Sequence, residues 1–163
     1  MAKLSPNPEG SSGKAGQKRL KVLVRVLMGV FVLLVAYFTY PLTSGAEKEA
    51  LPFAFAAILI LIFFVLGVLL LYYTKKAKPD RKTRIFLFFA GGSAASFLCL
   101  IVLHNLLYAG AVATESRPVI CSTLGVLHAI SFILAFTAVP VAFIVGATGS
   151  IAMLKRNKKG HNT

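Results

Sequence analysis

Four long apolar stretches, separated by short polar joints, constrain the fold of this chain more than any other feature. They cover about residues 22–41, 50–74, 85–111 and 119–154. Each is long enough to cross the hydrocarbon core of a bilayer, which takes about 20 helical residues at about 1.5 Å per residue. A single segment in lipid must satisfy its own backbone hydrogen bonds, so each stretch should be a helix. The sequence therefore predicts an all-α integral membrane protein, an antiparallel bundle of four transmembrane helices.

The fourth stretch is longer than one crossing requires, and it contains Pro140. A long span is accommodated by tilt, by a kink or by an end that projects beyond the bilayer. Because proline lacks the N–H group that an α-helix needs, the kink is expected at Pro140.

The basic residues predict the orientation. The chain has 18 Lys and Arg against 5 Asp and Glu, a net charge of +13. All the basic residues except Lys48 and Arg117 lie near the N-terminus, in the joint after the second stretch, or in the C-terminal tail. Basic residues are retained on the cytoplasmic side. We therefore expect both termini to be cytoplasmic, in the plasma (inner) membrane, and we expect no nucleic-acid partner.

The same reasoning divides the chain into a membrane domain and two tails. Residues 1–21 are rich in Pro, Gly, Ser and Lys, a composition that buries too little apolar surface to fold by itself. We predict a disordered, basic cytoplasmic tail there, a four-helix transmembrane domain over 22–154, and a second basic cytoplasmic tail over 155–163.

The basic joint between the second and third stretches is a candidate lipid-binding segment. Near a bilayer surface each cation contributes about 1 kcal/mol towards binding anionic headgroups. Its role as an orientation signal alone is enough to explain the charge, and binding of an acidic cytoplasmic partner is a further alternative. Its candidate contacts with anionic lipid are Lys75, Lys76, Lys78, Arg81, Lys82 and Arg84.

Small residues suggest where helices touch, because in lipid they allow two backbones to approach closely. They recur four residues apart in the third and fourth stretches, at similar depth. We predict a tight contact between these two helices, with a partner's helix as the alternative. The residues concerned are Gly91, Gly92, Ala95, Ser96, Ala142, Gly146 and Ser150.

Two histidines stand inside apolar runs, His104 in "LIVLHNLLY" and His128 in "GVLHAISF". Counted from the outer ends of their spans, they lie at depths of about 9 Å and about 13 Å. A polar group at that depth must find a partner. We expect the two side chains to meet and to join the third and fourth helices. One alternative is a cofactor site in which both are ligands, for b-type haem, a quinone or a metal. Another is a water-filled cavity for substrate or protons that the two histidines line.

The sequence gives no complete set of catalytic residues. No Asp or Glu lies within a predicted span, so the usual carboxylate of a proton-coupled transporter is missing. A phosphate loop and an HExxH zinc motif are also missing. We therefore predict a non-catalytic accessory or scaffold subunit with no cofactor, held by another membrane protein or by copies of itself. The alternative is a redox or cofactor-holding protein that uses His104 and His128.

Overall fold

The computed structural model describes residues 9–44 and 53–159, which are almost entirely helical. Within these residues, four helices are long and apolar enough to cross a membrane, as predicted. The last of them is continuous but changes from α to π and back to α. The elements are α1 (Glu9–Ser44), α2 (Phe53–Ala77), α3 (Arg81–Ala113), α4 (Pro118–Ile133), a π-helical turn (Leu134–Ala138) and α5 (Val139–Lys159).

The helices extend beyond the predicted spans at both ends of the chain. Because α1 begins at Glu9, the prediction of disorder over 1–21 is wrong from residue 9 onwards, and residues 1–8 lie outside the described residues. The reason is tertiary packing: Leu20 is fully buried, and a Cβ placed on Gly16 would lie 3.3 Å from the Cβ of Ala77. Similarly, much of the predicted tail over 155–163 is helical, since α5 ends at Lys159.

The helices pack in chain order, with α3 at the centre. The most extensive contacts join α3 to α2, α4 and α5, and a smaller contact between α1 and α5 closes the bundle. We call the end of the bundle that holds residues 75–84 the basic end, and the end that holds the α3–α4 turn, residues 114–117, the loop end. In α3 no side chain beyond Phe97 is buried, and in α4 only Ser131 is. The described part of the bundle is therefore packed more tightly towards the basic end than along α3 and α4 towards the loop end.

Phenylalanines fill the centre of the bundle. Phe63 of α2 and Phe143 of α5 are almost completely buried, with ring centroids 5.1 Å apart. Phe31 of α1 joins them at 4.6 Å from Phe143, and Phe97 of α3 lies 6.2 Å from Phe63. Offset and edge-on aromatic contacts over such distances are favourable. All four spans therefore meet in one aromatic cluster.

Glycines allow two close helix approaches. A Cβ placed on Gly67 would lie 2.9 Å from the carbonyl oxygen of Gly91, so these residues set the distance between α2 and α3. A Cβ on Gly146 would collide with the backbone nitrogen of Ala90 and would lie 2.9 Å from the carbonyl oxygen of Phe86. Gly146 therefore sets the distance between α3 and α5.

The small residues of α3 divide between two directions, which corrects part of the prediction. Gly91 and Ala95 face Gly67 of α2 instead of the fourth span. The predicted contact of Gly92 and Ser96 with the fourth span is wrong, because a Cβ placed on Gly92 has no described atom of another helix within 4 Å and Ser96 is exposed. Four small residues at 100° per residue cover much of a helix circumference, so their spacing does not identify the face that is packed.

The small residues of the fourth span lie in α5. Gly146 and Ser150 are buried, and Ala142 is half-buried. The Ser150 hydroxyl donates to the carbonyl oxygen of Gly146 at 2.7 Å, which satisfies it inside its own helix. The contact between the third and fourth spans therefore uses Gly146 against Phe86 and Ala90, and not the predicted pairing of two small-residue stripes.

Pro140 produces a π-helical turn. Its ring would clash with the carbonyl of residue 136 in a regular α-helix, and it offers no N–H group. The turn over Leu134–Ala138 precedes it, and the N–H of Val139 donates to the carbonyl of Leu134, five residues earlier. Such a turn adds one residue to the helix and is frequent at functional sites.

Candidate intramembrane histidine pair

His104 and His128 lie against each other between α3 and α4. Their ring centroids are 3.8 Å apart and their planes differ by 21°, so the imidazoles are stacked. Both side chains are half-buried. The depths counted from the sequence thus place the two rings level with each other, and the structure also brings them face to face.

Each histidine bonds to the backbone of the other. Nδ1 of His104 lies 3.2 Å from the carbonyl oxygen of residue 128, and Nδ1 of His128 lies 3.1 Å from that of residue 104. A carbonyl oxygen can only accept a hydrogen bond, so both Nδ1 atoms carry the proton. In the neutral imidazole this leaves Nε2 with the lone pair. The pair therefore makes two separate hydrogen bonds between α3 and α4, each from a side chain to a backbone carbonyl. The two side chains do not share a single hydrogen bond with each other.

Two aromatic rings and a serine hydroxyl lie beside the pair. The Tyr108 ring lies 5.4 Å from that of His128, and the Phe132 ring lies 5.3 Å from that of His104. The Ser131 hydroxyl donates to the same His128 carbonyl that accepts from His104, at 2.8 Å. This oxygen therefore accepts from side chains of both helices.

Asn105 does not take part in the pair. Its Nδ2 donates to the carbonyl oxygen of Ile101 at 2.8 Å, within α3, and its side chain is exposed. It lies about 100° round the helix from His104. Asn105 instead lines a cavity that also borders α1 and α2.

The stacked arrangement does not fit haem. Two axial histidines must approach the iron from opposite faces of the macrocycle. Rings with centroids 3.8 Å apart leave no room for a macrocycle between them, and their lone pairs lie in the ring planes and not towards the facing ring. Nor do the described residues hold a group of three or more His, Cys, Asp or Glu side chains that could bind a metal. A closed zinc site needs four ligands.

The candidate lipid-binding cations lie at the basic end, and all are exposed. Lys75 and Lys76 are in the last turn of α2, where positive charge interacts favourably with the helix dipole. Arg81 and Lys82 are in the first turn of α3, where the dipole disfavours them. The remaining two members of the set are Lys78, between the helices, and Arg84, within α3.

The first turn of α3 is stabilised by Asp80. This N-cap residue accepts a hydrogen bond from the Thr83 backbone N–H at 3.1 Å. The adjacent cations Arg81 and Lys82 work against the dipole of the same helix, so helix stability does not explain their position.

Comparison with protein-family models, with curated proteins and with solved structures gives no match for this chain.

Proposed function

We propose that this chain is a non-catalytic, multi-pass membrane protein that serves as an accessory or scaffold subunit of a membrane assembly. The observation that carries the proposal is the reciprocal bonding of His104 and His128. Both Nδ1 protons are used to join α3 to α4, which is the geometry of a structural connection. The polar groups within the membrane thus contribute to holding the hairpin together.

The outward face of α3 supports association with another helix. Gly92 has open space around it, and Ser96 and Cys99 continue the same face as exposed residues. Small residues four apart let a second helix approach closely in lipid. Within the described residues, no other helix of this chain occupies the space beside Gly92. The partner on this face is another membrane protein or a second copy of the chain.

Gly92→Leu is expected to dissociate the assembly without unfolding the bundle, because the new side chain would enter space that only a partner fills. The matched control is Gly29→Leu on α1, which is also surrounded by open space. Native mass spectrometry after extraction into polymer nanodiscs measures the complex. The wild-type chain and Gly29→Leu should appear bound to a partner or a second copy, and Gly92→Leu should appear alone. A monomeric wild-type chain, or an unchanged complex in Gly92→Leu, would contradict the proposal.

We further propose that both termini and the basic end lie on the cytoplasmic side of the plasma (inner) membrane. There the six exposed cations of residues 75–84 contact anionic lipid headgroups. Support comes from their clustering at one end of the bundle, and from the pair Arg81 and Lys82, which opposes the dipole of α3.

Cysteine labelling tests this orientation. In a background with Cys99 and Cys121 replaced by alanine, a membrane-impermeant maleimide added outside intact cells should label Glu115→Cys in the α3–α4 turn. It should label Lys82→Cys only after the cells are permeabilised. Both positions are exposed. Labelling of Lys82→Cys in intact cells would show the opposite orientation.

A further inference from the structure

A cavity of about 400 Å³ lies beside the histidine pair, between α1, α2, α3 and the last turn of α4. Ligand sites in proteins span about 300–1,000 Å³. The residues that line it include Tyr37, Ala57, Ile60, His104, Asn105 and Phe132. Ala57, Asn105 and Phe132 are exposed, so the cavity opens at the surface of the bundle. Because the cavity lies within the predicted spans, what enters it comes from the membrane.

A second, apolar cavity of about 260 Å³ adjoins the first, since Phe38 and Phe136 line both. It continues past the π-helical turn to Val139 and Pro140. The two together suit an elongated ligand with a polar group at His104 and Asn105 and an apolar chain running towards Pro140.

The hydrogen-bonding groups of the first cavity select the polar end of that ligand. Nδ1 of His104 donates to the backbone of α4, so in the neutral ring Nε2 is the nitrogen left to accept. Nδ2 of Asn105 donates to Ile101, which leaves the carboxamide oxygen as a second acceptor. These two acceptors favour a ligand that donates a hydrogen bond.

The uncharged lining of the cavity disfavours ionic ligands. Among the described residues, no Lys, Arg, Asp or Glu lines either cavity. An anionic headgroup would face hydrogen-bond acceptors with no cation beside it, and a cationic headgroup would have no carboxylate to pair with. Burying either charge away from water without a partner would be costly. A neutral hydroxyl group satisfies the acceptors, and it can also accept from the second N–H of Asn105.

We propose that this cavity binds a neutral lipid alcohol, whose hydroxyl group donates to Nε2 of His104 or to the carboxamide oxygen of Asn105. The hydrocarbon chain of the lipid lies between α1 and the π-helical turn. Binding is independent of the proposed assembly, because the cavity lies on the other side of α3 from Gly92.

The test uses the full chain in lipid nanodiscs with two matched probes, tritiated farnesol and tritiated farnesyl methyl ether. The ether has the same chain but no O–H donor. Farnesol should bind saturably, and about ten-fold more tightly than the ether, which corresponds to the loss of one good hydrogen bond. Equal affinities, or non-saturable uptake of both, would overturn the proposal.

Two variants and a control locate the site. Ala57→Phe fills the first cavity and should abolish saturable binding, while Asn105→Leu should weaken farnesol about five- to ten-fold and leave the ether nearly unchanged. Thr123→Val is the control: it removes an exposed hydroxyl of α4 that donates to its own helix and does not line the cavity. Circular dichroism and thermal melting verify that each variant is folded. Saturable binding unchanged in folded Ala57→Phe would show that farnesol binds elsewhere, and would overturn the proposal.

The same measurement on Gly92→Leu separates this proposal from the proposed function. Farnesol should bind to that variant as it does to the wild-type chain. Loss of binding there, with retained folding, would place the ligand at the assembly interface and would overturn the cavity as its site.

Discussion

Gly146→Leu is expected to destabilise the bundle by about 3 kcal/mol, the upper part of the usual range for overpacking a tight interior. A side chain at this position meets the backbone nitrogen of Ala90 and the carbonyl oxygen of Phe86, which are parts of α3 that cannot rotate away. Helices α3 and α5, which share the most extensive contact of the described bundle, would have to separate. The free energy of unfolding in mixed micelles, followed by loss of helicity as SDS is raised, measures the effect.

The control for this prediction is Gly29→Leu, since a Cβ placed there has no described atom of another helix within 4 Å. Its free energy of unfolding should change by no more than about 0.5 kcal/mol. Gly146→Ala should fall between the two, because its single methyl group already reaches the α3 backbone. If Gly146→Leu and Gly29→Leu were equally stable, Gly146 would not set the distance between α3 and α5.

The second large effect is expected from the histidine pair. Each of His104→Ala and His128→Ala should cost about 1 kcal/mol, from one interhelical hydrogen bond of about 0.6 kcal/mol and from the lost ring stacking. The acceptors are backbone carbonyls, which survive either substitution. The remaining histidine therefore keeps its own bond. The double variant should cost about 1.7 kcal/mol. This is slightly less than the sum of the two single effects, because that sum counts the one stacking contact twice.

This pattern distinguishes two reciprocal bonds from one bond shared by the two rings. A shared bond would be lost in either single variant, so the double variant would then be no less stable than the singles. His104→Phe separates the contributions further, because it keeps a ring to stack on His128 and removes the donor. It should cost about 0.6 kcal/mol in the same unfolding assay. A double variant as stable as either single would rule out the reciprocal arrangement.

The sequence alone predicted the helical class and the four spans, because hydrophobic length is a sum over consecutive residues and needs no knowledge of neighbours. It also predicted that His104 and His128 would meet, since the depth of a residue in a helix follows from counting at a fixed rise. The prediction of disorder before residue 22 failed beyond Glu9 for the opposite reason. Between residues 9 and 21 the only large apolar side chain is that of Leu20. The helix there is held by packing against the end of α2, which composition does not reveal.

Tertiary structure decided the rotation of each helix about its axis, and most of the site depends on it. Gly91 and Gly92 are adjacent and chemically identical, yet one meets α2 and the other meets open space. Gly67, a lone glycine in an apolar run, gave no spacing signal because its partners lie in another helix. The same rotation lets both Nδ1–H groups donate to backbone carbonyls and leaves a cavity beside Asn105. In a bundle whose spans are apolar nearly all round, periodicity does not define a buried face, so the fit of all four helices together selects it.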